Sequence, residues 1–214
     1  MFRSRFQTEL DGLNNDILSL GNIIKTTIDD CVSALVNNDI EACNQVIELG
    51  DETRAQIERL EERTLKTMLM QQPVAKDMRI LTTVLKVVSN LDRIARQARE
   101  ICHIVVDLQE LEYPFDVELL KVMGEHATMM VHNCIESFAH LDVDLATQVM
   151  YQDDIMDKNF RQLKTEMIER IKNKHENADS AIYFMMIGKY LEKIGDNSET
   201  IADWTIYCKS GKKA

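Results

Sequence analysis

Glycine and proline are scarce, with seven and two in 214 residues. Strand-rich folds need turn residues at short intervals, so this scarcity favours long helices. Cysteine is odd in number, at 31, 43, 102, 134 and 208, with no C-x-x-C pair. That spacing argues against a paired-thiol metal or redox motif, and buried, reduced thiols are expected. Bases are outnumbered, 25 against 36 acids, for a net charge of −11. Phosphate backbones and anionic lipid both need a basic face, so neither nucleic acid nor direct lipid adsorption is expected. Apolar runs are short. Ile104-Val105-Val106 is typical, against the roughly 20 residues that span a bilayer. The start, MFRSRF, runs straight into a polar helical pattern without the apolar segment of a signal peptide, so a cytoplasmic protein is expected. No G-x-x-x-x-G-K-[ST] loop is present.

What the chain has instead is apolar residues at steps of three and four. Leu10, Leu13, Ile17, Leu20, Ile24, Ile28, Cys31 and Leu35 form the first stripe. Ser4 with Gln7 resembles a capping box for this helix. Asn37-Asn38 punctuates it, and Asp39 is placed to cap the second helix. That helix ends before Pro73. A third runs from about Lys76 to Leu111. Glu112-Tyr113-Pro114-Phe115-Asp116 is the clearest break. Three more helices follow, ending near His140, Asn173 and Tyr207. Six long helices with short connections imply antiparallel neighbours.

The second half repeats the first. Leu20-Gly21 matches Met123-Gly124, Asp39 matches Asp142, Val46 matches Val149 and Asp51 matches Asp154, all offset by 103. Leu91-Asp92-Arg93-Ile94-Ala95-Arg96 matches Leu191-Glu192-Lys193-Ile194-Gly195-Asp196, offset by 100. The expected fold is all-α, with two pseudo-symmetric antiparallel three-helix bundles over residues 1–112 and 116–214.

LEKIGDNSETIADW, residues 191–204, aligns Glu192, Asp196, Glu199 and Asp203 at steps of four, three and four. On a helix these share one stripe, where each like-charge pair costs about 0.2–0.5 kcal/mol. No Lys or Arg lies on the stripe itself. It faces away from Ile187, Leu191, Ile194, Ile201 and Thr205, so solvent exposure is expected. Asp153, Asp154 and Asp157 on the preceding helix are placed to come alongside. Two readings stand: a solvated face, or a cation site. Carboxylates alone suit Mg²⁺, Mn²⁺ or iron, whereas structural zinc would want Cys or His. A di-iron oxidase needs two Glu-x-x-His pairs, and Glu100 with His103 is a lone match. The twelve methionines fall at helical spacing and read as core filler.

LDRIARQAREI and LEKIGDNSETIADW resemble the signature repeats of the PhoU family, regulators of phosphate uptake and phosphate signalling. MQQPVAKDMRIL, DVDLATQVMYQDDIMD and ETIADWTIYCKSGKK resemble the family's other segments, in order, along the whole chain. The resemblance implies two three-helix bundles and multinuclear metal sites on E/D-x-x-x-D motifs, one per bundle. It also implies a non-catalytic, negatively acting regulator, cytoplasmic and homodimeric. Its partners would be a phosphate importer ATPase subunit and a sensor histidine kinase. On this basis the second-bundle metal ligands are expected among Glu192, Asp196, Glu199, Asp203, Asp153, Asp154 and Asp157. The competing classes are a metal-binding or storage protein and a carboxylate-metal enzyme. The first repeat departs from the pattern: Asp157, Asp196, Glu199 and Asp203 correspond to Arg54, Arg96, Arg99 and His103. Asp51 and Asp92 remain, each with an arginine three or four residues on. Ion pairing in place of a cation is one reading of that face. An anion pocket of Arg54, Arg96 and Arg99, for phosphate or a phosphorylated partner, is the other.

Overall fold

A computed structural model describes residues 2–70, 73–109, 117–172 and 178–212. Six α-helices account for nearly all of them: α1 Phe2–Asn37, α2 Ile40–Met70, α3 Ala75–Leu108, α4 Glu118–His140, α5 Val143–Lys172 and α6 Ala178–Ser210. No strand occurs among the described residues. The first helix begins at Phe2, ahead of Ser4, so Ser4 does not cap it. Gln7 bonds Asp11 one turn on instead. The break at residues 112–116 and the expected last turn of the third helix lie outside the described residues.

The other turns follow the sequence. Asp39 Oδ1 accepts from the Ala42 amide and Asp142 Oδ1 from the Leu145 amide, both at 3.0 Å. These are matched N-caps, each satisfying an amide that a helix start leaves without a partner. Just before each cap one residue takes the left-handed conformation, Asn38 at φ 53° and Leu141 at φ 50°. Asparagine tolerates that region and leucine does so poorly. The repeat thus extends to backbone conformation, with the suited residue in only one copy.

Within each half all three helices pack on one another, and the halves meet through α1 against α4 and α3 against α6. Each helix at that interface faces its own repeat partner, as a pseudo-two-fold requires. Glycines let the helices close. A Cβ on Gly124 would stand 2.4 Å from Val32 Cγ2, and a Cβ on Gly21 2.4 Å from Ile135 Cδ1. Val32 and Ile135 are themselves offset by 103, so the two knobs and two holes are one contact made twice. Between α3 and α6, Asn197 Nδ2 donates to Gln97 Oε1 at 3.3 Å, again between matched positions. The buried side chains form one continuous core through both halves. The five cysteines are free and buried, as their spacing implied.

Candidate metal centre

The helix α6 registers its apolar residues against both α4 and α5, which turns Glu192, Asp196, Glu199 and Asp203 toward α5 and not out to water. Glu192 is buried, at 8% exposure, and Asp196, Glu199 and Asp203 are half-buried. The expectation of a solvent-exposed stripe is therefore corrected. Buried residues recur along the whole of α6, from Ser180 to Cys208, so the stripe lies at the edge of the α5–α6 seam.

Gly195 makes the seam close. A Cβ there would lie 2.9 Å from Asp153 Oδ1 and 3.2 Å from Met156 Cγ. Without it, Asp153 reaches under α6. Asp153, Asp157 and Asp196 each bring a carboxylate oxygen within 4.8 Å of the others. Burial, then the charges of Glu199, Asp196, Asp157 and Glu192, push the Asp153 carboxyl up to about 7. Burial, followed by Asp196, Asp154, Asp203 and Asp157, also raises Glu199. Five acids therefore act on one small volume, with Asp154 exposed at its outer side and Asp203 one turn along α6.

Two cations enter from positions off the stripe. Lys189 Nζ donates to Glu192 Oε1 at 2.6 Å, and Lys193 Nζ pairs with Asp196 Oδ2 and lies 3.4 Å from Glu192 Oε2. The hydrogen bond to Asp196 raises Lys193. The expectation that nothing relieves the repulsion along the helix holds for the stripe but not for its flank. Both lysines lie three residues from an acid, a spacing at which helix neighbours touch. They serve Glu192 and Asp196 and leave the α5 side uncompensated. Asp153 Oδ1 is buried without any hydrogen bond, whereas buried Glu192 Oε2 at least has the Lys193 ammonium 3.4 Å away. A buried acceptor without a donor costs about 1–3 kcal/mol.

These observations fit a hard cation. The donors are carboxylate oxygens, one is orphaned, and Gly195 provides the close approach. Asp153, Asp157 and Asp196 would hold such an ion, with Glu199 and Glu192 next to them. It would supply positive charge and a cross-link between α5 and α6. Thiol chemistry is poorly served elsewhere, because hydrogen bonds with neighbouring thiols, and then burial, raise Cys43 and Cys102 well above the ordinary thiol range.

At the matched place in the first half the charge is reversed. Gly50 stands where the second half has Asp153, and Arg54, Arg96 and Arg99 stand where it has Asp157, Asp196 and Glu199. Asp92 pairs with Arg96 on its own helix, as expected. Arg54 instead turns to Glu58 at 3.1 Å, leaving Asp51 to solvent.

The pair of three-helix bundles related by a pseudo-two-fold places the chain among two-repeat helical proteins. A family model described as the PhoU domain matches residues 17–105 and again 120–205; the chain belongs to the PhoU family. It is 26% identical to the phosphate-specific transport system accessory protein PhoU homolog of Clostridium acetobutylicum, over 100% of this chain and 98% of that protein. The corresponding homolog of Pseudomonas aeruginosa is also 26% identical, over 97% of this chain and 86% of that protein. The crystal structure of PhoU from Pseudomonas aeruginosa superposes with a TM-score of 0.92 at 25% identity, covering 97% of this chain and all of that one. PhoU from Streptococcus pneumoniae gives 0.91 at 22%, over 98% and 99%, and shares the fold.

Proposed function

We propose that this chain is a non-catalytic accessory protein of a phosphate transport system, acting in the cytoplasm to restrain phosphate uptake and phosphate-starvation signalling. The observation that carries this reading is the match to relatives named as accessory proteins of such a system, which for the Clostridium acetobutylicum homolog covers all of this chain and 98% of that protein. Its partners are the ATPase subunit of a phosphate importer and a sensor histidine kinase, and it works as a homodimer. No described helix is long and apolar enough to cross a membrane. The acidic seam binds Fe, Mg or Mn and fixes α5 against α6, so that the outer faces of the second bundle present one docking shape.

The test is a deletion strain together with affinity capture of the tagged chain. Constitutive phosphate-starvation proteins and altered phosphate uptake are expected on deletion, with the importer ATPase and the kinase recovered on capture. Unchanged uptake and unchanged starvation response would overturn the reading.

A further inference from the structure

The face of the first bundle that matches the acidic seam holds a cleft of about 60 Å³ between α2 and α3, closed at its base by α1. A water needs about 10–15 Å³ by this measure, so the cleft has room for roughly four small polar atoms. Its polar lining is Thr27, Thr53, Arg54, Asp92, Arg96 and Arg99. Three guanidiniums thus meet one carboxylate, in a chain whose net charge is −11.

The single acid does not neutralise the cleft. Asp92 is taken by Arg96. Arg54 donates to Glu58 through Nε at 3.1 Å, which leaves its terminal nitrogens available. Arg99 has no carboxylate partner among the described residues. It is held in place by shape: a Cβ on Gly50 would lie 2.9 Å from Arg99 Nη1 and 3.0 Å from its Cδ. Gly50 therefore gives the Arg99 side chain its bed on α2. The threonine protons are already committed, Thr27 donating to the Ile23 carbonyl and Thr53 to the Leu49 carbonyl. The donors left in the cleft are guanidinium N–H groups, approaching from two helices.

Guanidiniums pair with carboxylates and phosphates by two parallel hydrogen bonds. A planar carboxylate offers one such edge. A tetrahedral oxyanion offers several, and so accommodates arginines arriving from different directions. We propose that this cleft binds a free tetrahedral oxyanion, inorganic phosphate foremost. The two repeats then carry sites of opposite sign at matched places, an anion site between α2 and α3 and an acidic seam between α5 and α6. The inference rests on the cleft alone and stands apart from the regulatory reading above.

Binding of radiolabelled inorganic phosphate to the full chain, by equilibrium dialysis in chloride buffer, tests it. One saturable site per chain is expected, with a dissociation constant of about 1 mM or tighter. Sulfate should compete and chloride should not. Arg99→Gln and Arg54→Gln should each weaken binding at least about tenfold, because each removes a charged donor. Arg54 is exposed, so its replacement leaves the fold intact and keeps the test decisive if Arg99→Gln misfolds. Gly50→Ala preserves every charge but displaces Arg99, and should also weaken binding. Arg161→Gln, on the exposed surface of α5, should not. No saturable binding, or binding unchanged in both arginine variants, would overturn the proposal. So would binding of phosphoserine, but not of inorganic phosphate, at these arginines, because the ligand would then be a phosphorylated molecule.

Discussion

Asp153 Oδ1 lies 2.9 Å from the place a Cβ would take on Gly195, and this proximity brings a buried, unpartnered carboxylate oxygen under α6. In the first half the missing Cβ is on the other helix of the pair. There Gly50 on α2 admits Arg99 from α3. The glycine has changed helix as the side chain it admits has changed sign, so at these matched places each half inserts an ionisable group beside a glycine.

Gly195→Ala should separate metal uptake from folding. The added methyl meets the carboxylate end of Asp153, which can move aside, and Cγ of buried Met156, which must shift by a few tenths of an ångström, while alanine improves helix propensity by about 1 kcal/mol. The metal-free protein should therefore unfold within about 1 kcal/mol of the parent. Its metal content, measured by elemental analysis after dialysis against Mg²⁺, Mn²⁺ or Fe, should fall, because Asp153 no longer reaches under α6. Full metal content in this variant would show that the seam does not depend on the close crossing.

The Asp153 carboxyl gives the metal-free protein a definite pH dependence. Its folded value of about 7 lies above the ordinary 3.8. The folded state therefore binds the proton more tightly than the unfolded chain. That stabilisation is complete below about pH 4 and is lost as pH rises through about 7. The denaturant midpoint of the metal-free protein should fall between pH 5 and pH 8, and Asp153→Asn should flatten the fall. A cation competes with the same proton, so metal affinity should drop below about pH 7. A midpoint that rises over this range would mean that Asp153 is ionised and well paired in the fold.

Much of this was legible in the sequence, for identifiable reasons. The 3.6-residue periodicity, the paired caps at Asp39 and Asp142 and the 103-residue offset are local or repeated signals, and they gave the six helices and their pairing. The acidic residues of the seam were visible because like charges at three- and four-residue steps are unusual. Their burial was not, because it depends on which side of α6 meets α5, and Gly195 decides how closely. Lys189 and Lys193 act from the flank of the stripe, outside the four-three-four spacing that marks its acids. A scan of three-residue spacings from Glu192 and Asp196 would have found both. The Arg54 pairing was misplaced onto Asp51 for the opposite reason, since Glu58 competes from one turn further along.

Carboxylate replacements should divide the two halves. Asp157→Asn removes a charge from the half-buried cluster, and metal affinity should fall about tenfold or more, about 1.4 kcal/mol. Combined with Asp153→Asn it should abolish the rise in melting temperature that metal produces. In the absence of metal the pair should be neutral or slightly stabilising, because like-charge repulsion is removed. Asp92→Asn should leave metal content unchanged, since Asp92 is already paired with Arg96. Metal lost from the Asp92 variant and kept by the α5 variants would place the site in the first half.

The joint between the halves can be tested at Gly124. A methyl group there would stand 2.4 Å from Cγ2 of Val32, a buried residue of α1. Overpacking of this kind costs about 1–3 kcal/mol, against about 1 kcal/mol gained in helix propensity. Gly124→Ala should thus be destabilising or near neutral in urea unfolding, not stabilising as an exposed helical glycine replacement would be. Val32→Ala alone removes two buried methyl groups and should cost about 1–2 kcal/mol. In the double variant the new methyl fills part of the space vacated by valine. Its loss should be smaller than the sum of the two by about 0.5 kcal/mol or more, the coupling expected of side chains in contact. The matched cycle of Gly21→Ala with Ile135→Val should behave in the same direction, because the pseudo-two-fold makes it the same contact. Strict additivity in both cycles would mean that α1 and α4 do not cross at these glycines, and the pairing of the two halves would have to be redrawn.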